Sequence, residues 1–180
     1  MKRLCLPLLV LCLLLSGCGE RAAKKEFEDF SQELAAREAL SFRAALNFQY
    51  EDRSLDFSLG YARDSQGETV TVIEPEIISG LRARLSPQGG TLEYEGLILD
   101  TGTPGTGPSP MSALPLLVQA LCSGHLESCR REQDMSVWEL IPEDGASVSV
   151  WLEEGPLVPV KAEIYLEGRL WASCLIENWK

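Results

Sequence analysis

The chain has 180 residues, 45% of them hydrophobic and 24% charged, with a formal net charge of −11 at pH 7. That length and apolar content suit one domain with its own core and leave no need for a second. The acidity argues against nucleic acid or an anionic surface as the partner.

Lys2 and Arg3 precede an apolar run from Leu4 to Leu15, interrupted by Pro7, and the small residues Ser16 and Gly17 lead into Cys18. This is the anatomy of an export signal. The run is shorter than the ~20 residues that a membrane-spanning helix needs. The stretch Leu15-Ser16-Gly17-Cys18 resembles the lipobox of bacterial lipoproteins. The resemblance implies that residues 1–17 are a signal peptide and that Cys18 becomes a diacylglyceryl-modified first residue on the extracytoplasmic face of the cell membrane. The plainer alternative is a secretory signal with an incidental cysteine. Loss of Lys2 and Arg3 would bring the mature charge to −13. Residues 18–25 then form the lipidated cysteine and a polar tether, and 26–180 the domain. Fully extended, Gly19 to Lys25 would reach about 25 Å.

Phe27, Phe30 and Leu34 recur at helical spacing among acidic and basic residues, which predicts an amphipathic helix over about 23–38. From Leu40 the period becomes two: Leu40, Phe42, Ala44, Leu46, Phe48 and Tyr50 alternate with polar or small residues. Leu55, Phe57, Leu59 and Tyr61 repeat the scheme, giving a long hairpin. Thr69 to Ile73 predicts a further strand, ended by Pro75. Shorter strands follow around Leu81–Leu85, Leu92–Tyr94 and Leu97–Leu99. The stretch from Thr101 to Pro110 holds three glycines and three prolines and reads as a connector. Met111, Leu114, Leu117, Val118 and Leu121 give a second, more apolar helix, with Pro115 near its first turn. Four strands close the chain: Val137–Ile141, Val148–Leu152, Val160–Leu166 and Leu170–Ile176. Nine or ten strands and two helices, joined by short connections, define an α+β protein. The expected form is a strongly curved antiparallel sheet, or half-open β-barrel, with helices covering the concave face.

Three cysteines lie outside the signal and lipobox: Cys122, Cys129 and Cys174. The odd number does not describe a disulfide scaffold, though a Cys122–Cys129 bridge across a short loop is geometrically allowed and three free thiols equally so. Cys122, His125 and Cys129 offer three zinc-type ligands. Without paired Cys-x-x-Cys knuckles they read as a disulfide with a bystander histidine, and no metal or cofactor is assigned. His125 is the only histidine, no Gly-x-Ser-x-Gly turn accompanies it, and the carboxylates read as surface groups, so the chain is not taken for an enzyme.

The lipoprotein signal, the N-terminal helix, the long hairpin, the strand ending in Pro75, the stretch Thr91-Leu92-Glu93-Tyr94-Glu95-Gly96-Leu97 and the closing pair Pro159–Glu167 and Arg169–Trp179 together resemble the LolA/LolB-like lipoprotein carrier superfamily. The resemblance implies a half-open barrel with a helical lid, whose cavity takes up acyl chains or, in relatives, serves partner binding. Anchored relatives include germination lipoproteins of spore formers that bind a cell-wall amidase. One departure stands out: Glu74 occupies the position where carriers commonly place an arginine that helps hold the lid closed. Phe42, Leu46, Phe48, Phe57 and Leu59, beneath Leu114, Leu117, Val118 and Leu121, form either a packed core or the lining of a lipid-sized cavity. The first functional reading is therefore a membrane-anchored protein that binds a lipid or lipoprotein acyl chain. The alternative is an anchored interaction module that recruits or regulates an envelope or spore-cortex enzyme and carries no lipid.

Overall fold

A computed structural model describes residues 17–86, 89–102, 109–142 and 145–180, with side chains from residue 21 onward. Eleven antiparallel strands form one curved, open sheet. In chain order, helix α1 (Gly17–Ala36) precedes β1 (Leu40–Tyr50), β2 (Arg53–Asp64), β3 (Gly67–Glu74), a 3-10 turn (Glu76–Ile78), β4 (Arg82–Ser86), β5 (Gly89–Tyr94) and β6 (Leu97–Gly102). Helix α2 (Pro110–Ser123) then leads to β7 (His125–Glu132), β8 (Met135–Ile141), β9 (Ala146–Glu153), β10 (Val158–Leu166) and β11 (Arg169–Glu177).

The strand order is β6-β5-β4-β3-β2-β1-β11-β10-β9-β8-β7, so two meanders meet where β1 pairs with β11. The chain leaves the sheet at one edge, β6, and re-enters at the other, β7. Eleven strands laid flat would span about 48 Å, whereas the fourteen residues of α2 span about 21 Å. Curvature brings the edges within reach of that crossing, and α2 makes it over the inward face, against β3, β8 and β10.

Burial follows the predicted alternation. Along β1 the side chains of Leu40, Phe42, Ala44, Leu46 and Phe48 are buried while Ser41, Arg43 and Ala45 face solvent. Tyr50 and Leu55, at the tip of the β1–β2 hairpin, keep the parity but are exposed, because the hairpin outruns the helices that cover its base. On β11 a register shift against β10 at Ile164/Tyr165 turns Trp171 inward beside Ala172, and Leu170 faces out. Phe27, Phe30 and Leu34 of α1 join the same core, with Phe27 and Phe30 meeting the fully buried Trp138 edge-on at 5.5 and 5.3 Å.

Two elements differ from expectation. Helix α1 begins at Gly17 and ends at Ala36, so the segment expected as an extended tether is helical. Its alanines, lysines and glutamate propagate a helix once Phe27 and Phe30 fix the following turns. Gly19 to Lys25 accordingly advances about 10 Å rather than 25 Å. The second difference is an eleventh strand, β7, whose sequence HLESCRRE lacks an apolar alternation because it is an edge strand and largely exposed. Gly124 makes the joint: its N–H bonds the Ala120 carbonyl at 3.0 Å, and a Cβ there would stand 2.4 Å from that oxygen. No helix among the described residues is long and apolar enough to cross a membrane.

Trp138 ties α1 to the sheet, and its removal leaves a large cavity. Trp138→Ala should destabilise the fold by about 3–5 kcal/mol, read as a lower denaturant midpoint at unchanged slope.

Candidate functional site: the covered concave face

The inward face of the sheet is apolar along a cross-strand row that can be followed pair by pair: Phe42, Tyr61, Val70, Ala83, Leu92 and Leu99. The first four are buried, Leu92 is half-buried, and Leu99 is 63% exposed. Burial fades along this row as it moves away from β3, one of the strands on which α2 chiefly packs. Beyond the helix the face emerges as an apolar lip, with Leu97 77% exposed and Ile77 of the 3-10 turn 83% exposed. The Tyr94 hydroxyl donates to the Ile77 carbonyl at 3.0 Å and holds that turn against the lip.

The residues expected to line a cavity are brought together. Phe42, Leu46, Phe48, Leu59, Leu114, Leu117, Val118 and Leu121 are all buried in one continuous cluster, and Phe57 packs against it half-buried. Helix α2 seats them. It carries no charged residue, and Ala113, Leu114, Leu117, Val118, Ala120 and Leu121 are buried on more than one of its sides. Its N-terminus is closed by a Ser109–Ser112 capping box, which satisfies the first backbone donors of the helix. The side chains of α2 fill the space above this part of the inward face.

A small polar cluster fastens the C-terminal end of α2. The Ser31 hydroxyl of α1 donates to the Cys122 carbonyl at 2.6 Å. Arg63 of β2 donates to the Leu34 carbonyl at 2.7 Å and to the Cys122 sulfur at 3.4 Å, so one guanidinium joins the sheet to the ends of both helices. Glu68 stands opposite Arg63 across the β2–β3 pair. Burial pushes the Glu68 carboxyl above the usual carboxylate range, although the Tyr61 hydroxyl and Arg63 act in the opposite sense. Burial also raises Tyr61, with Glu68 adding to the effect.

Arg63, Glu68 and Ser31 escaped the sequence reading. The signal was there for two of them: Arg63 and Glu68 stand at inward positions, in phase with Tyr61 and Val70, where charge breaks the alternation. Glu74 lies elsewhere. It is exposed at the end of β3 and borders a groove of about 610 Å³ on the outer face with Asn47, Asp56 and Lys161. The helix-fastening arginine of this chain is on β2, eleven positions before Glu74.

The Cys122–Cys129 bridge is not formed, and both thiols are free. The residues between them are not a short loop: β7 carries Cys129 about 13 Å along the edge strand from His125, opposite Trp138. Cys174 is free and buried on the inward face, which pushes its thiol up to about 12. His125 is exposed at the start of β7, and among the described residues no three His, Cys, Asp or Glu side chains are grouped to hold a metal.

No protein-family model matches the chain, and no curated protein matches it. Its fold is shared with a solved structure of an uncharacterized conserved protein from Thermus thermophilus, at TM-score 0.52 and 9% identity over 88% of this chain and 86% of that one. A LolA superfamily protein from Nitrosomonas europaea is similar at TM-score 0.47 and 12% identity, over 87% of this chain and 92% of that one. The lipoprotein LppX from Mycobacterium tuberculosis follows at TM-score 0.41 and 12% identity, over 88% and 95%. At 9% identity the likeness to the first of these is one of fold alone.

Two substitutions probe the fastening cluster. Arg63→Ala should lower stability by about 1–3 kcal/mol through loss of charge-assisted bonds, with faster amide exchange in α2 and the last turn of α1. Glu68 has a folded pKa above its unfolded one, so its stabilising contribution is complete below the ordinary carboxylate range and is lost as pH rises through the raised value. Glu68→Gln should therefore be more stable than the parent at neutral pH. Denaturation at a series of pH values should show that advantage disappear below pH ~4.

Proposed function

We propose that this chain is an extracytoplasmic lipoprotein, held to a membrane through lipid on Cys18, that binds a lipid or lipoprotein acyl chain on its concave face. The observation that carries the reading is the continuous apolar row that runs beneath α2 and emerges at the lip of β5 and β6. An acyl chain enters from that lip and displaces α2 as it advances. Burying fourteen methylenes at ~0.8 kcal/mol each contributes roughly 11 kcal/mol, and exposing four buried aliphatic side chains of α2 costs about 6–12 kcal/mol. The two are close enough for ligand and helix to exchange, which is what reversible binding requires.

A second reading has its own observation. Edge strand β7 and the first half of α1 enclose a groove of about 1010 Å³ lined by Lys24, Glu26, His125, Cys129, Arg130 and Arg131. An envelope or spore-cortex enzyme would be recruited by seating an extended segment there, close to the anchor.

A photoactivatable palmitate analogue, fed to cells and crosslinked in place, separates these readings. Crosslinks mapped to Leu114–Leu121 and to Phe42–Leu59, and reduced in Leu117→Asp, are expected for acyl binding. Label confined to Cys18, together with one stoichiometric protein crosslinked at β7, would replace acyl binding by the second reading. Mass spectrometry of the mature N-terminus checks the anchor, with a diacylglyceryl-modified Cys18 expected and its absence in Cys18→Ala.

A further inference from the structure

The two edges of the sheet are built differently. Strand β7 carries Glu127, Arg130, Arg131 and Glu132, has a register shift at Leu126/Ser128, and lies beside α1. Charge, irregularity and cover are the usual means by which a sheet edge is kept from pairing with another chain. In strand β6 the charge, Asp100, and the register shift, at Gly90/Thr91 of its partner, both come after its first three residues, which are apolar. Leu97, Ile98 and Leu99 are 77, 70 and 63% exposed, and among the described residues no strand pairs with their outer side.

We infer that β6 pairs with β6 of a second copy of this chain, antiparallel and about a two-fold axis at Ile98. The register follows from the hairpin. Glu95 and Gly96 form a two-residue turn at φ 49° and 82°, closed by the Tyr94–Leu97 pair. Leu97 therefore directs its backbone groups to β5, and Ile98 turns its N–H and C=O away from it. Two Ile98 residues facing each other satisfy one another's backbone groups, and Leu97 of each copy falls opposite Leu99 of the other. All six apolar side chains then meet apolar partners. Leu97 and Leu99 lie on the inward face, so the apolar floor of one copy continues into that of the next.

Charge permits this approach although the chain as a whole is strongly acidic. Next to Ile98 on the outer face, Glu93 is flanked by Arg82 and Arg84, each at 3.9 Å. Asp100 falls opposite Gly96 of the other copy rather than opposite its own equivalent, so no two carboxylates are forced to face each other. About that axis only Leu97, Ile98 and Leu99 of each strand overlap, a contact about 10 Å long and much smaller than a standard interface of about 1,600 Å². The pairing is accordingly weak in dilute solution and gains where the chains are concentrated on one surface. It does not depend on any lipid cargo.

Disulfide trapping of the full-length chain, in whichever cell fraction it is found, tests the register. Facing Cα atoms at a hydrogen-bonded pair are about 5.5 Å apart, within disulfide range. Under mild oxidant Ile98→Cys should give about tenfold more covalent dimer than the parent chain, which already carries the exposed Cys129 and serves as the control. Leu97→Cys and Leu99→Cys should each trap little alone and should trap one another when co-expressed. Addition of Leu99→Lys to Ile98→Cys should abolish the dimer. Dimer at parent level for Ile98→Cys, equal trapping by all three variants alone, or an Ile98→Cys adduct to a protein of different mass would overturn the proposal.

Discussion

The whole arrangement depends on keeping one continuous apolar face from water. Antiparallel pairing gives every strand an inward row, and the rows join from β1 outward in both directions. Two helices are available to cover them. Helix α1 approaches before the sheet begins and fixes Trp138 with Phe27 and Phe30. Helix α2 arrives because the chain must cross from β6 to β7, and the crossing lies over the face that needs cover. Cover and connection are thus one element. Its limited length explains both the complete burial under its centre and the exposed lip beyond β4.

Alternation made most of the sheet legible. A period of two along Leu40–Phe48 and Val148–Leu152 states which side chains point inward, and the structure follows it. The misses have physical causes. Strand β7 is held by one neighbour and faces solvent, so no apolar stripe was required of HLESCRRE. Residues 17–25 are helical, none of the described side chains from 21 to 25 is buried, and polarity alone does not separate such a helical turn from a tether. The expected lining residues were found as a group because lining and core obey the same pattern. That group being filled by α2 was beyond periodicity, since it depends on where a connector with three glycines and three prolines sets the helix down.

The fastening of α2 is polar at its end and apolar along its length. Arg63 and Ser31 reach Cys122 at the last turn, whereas the middle of the helix is held by dispersion and burial alone. Bonds of this kind break at one place, while an apolar contact can be traded for another apolar contact at little net change. The polar contacts that tie α2 to other elements are thus gathered at its C-terminal end.

The helical start of α1 changes what an anchor at Cys18 would do. Phe27 is the first buried residue of α1 among the described side chains, and the turns before it continue the packed helix, with Ala22 to Glu26 beside β7. A flexible tether would let the domain turn freely, but a helical one transmits orientation. With an anchor at Cys18, the axis fixed by Phe27, Phe30 and Leu34 against the core would set which surfaces face the membrane plane. Helix α1 adjoins β7, at the opposite edge of the sheet from β6. The groove of α1 and β7 would then lie near such an anchor, and the apolar lip at the opposite edge of the same sheet. Acyl uptake or pairing at β6 would therefore take place at the edge of the sheet opposite β7, with the two edges joined by the helix that crosses between them.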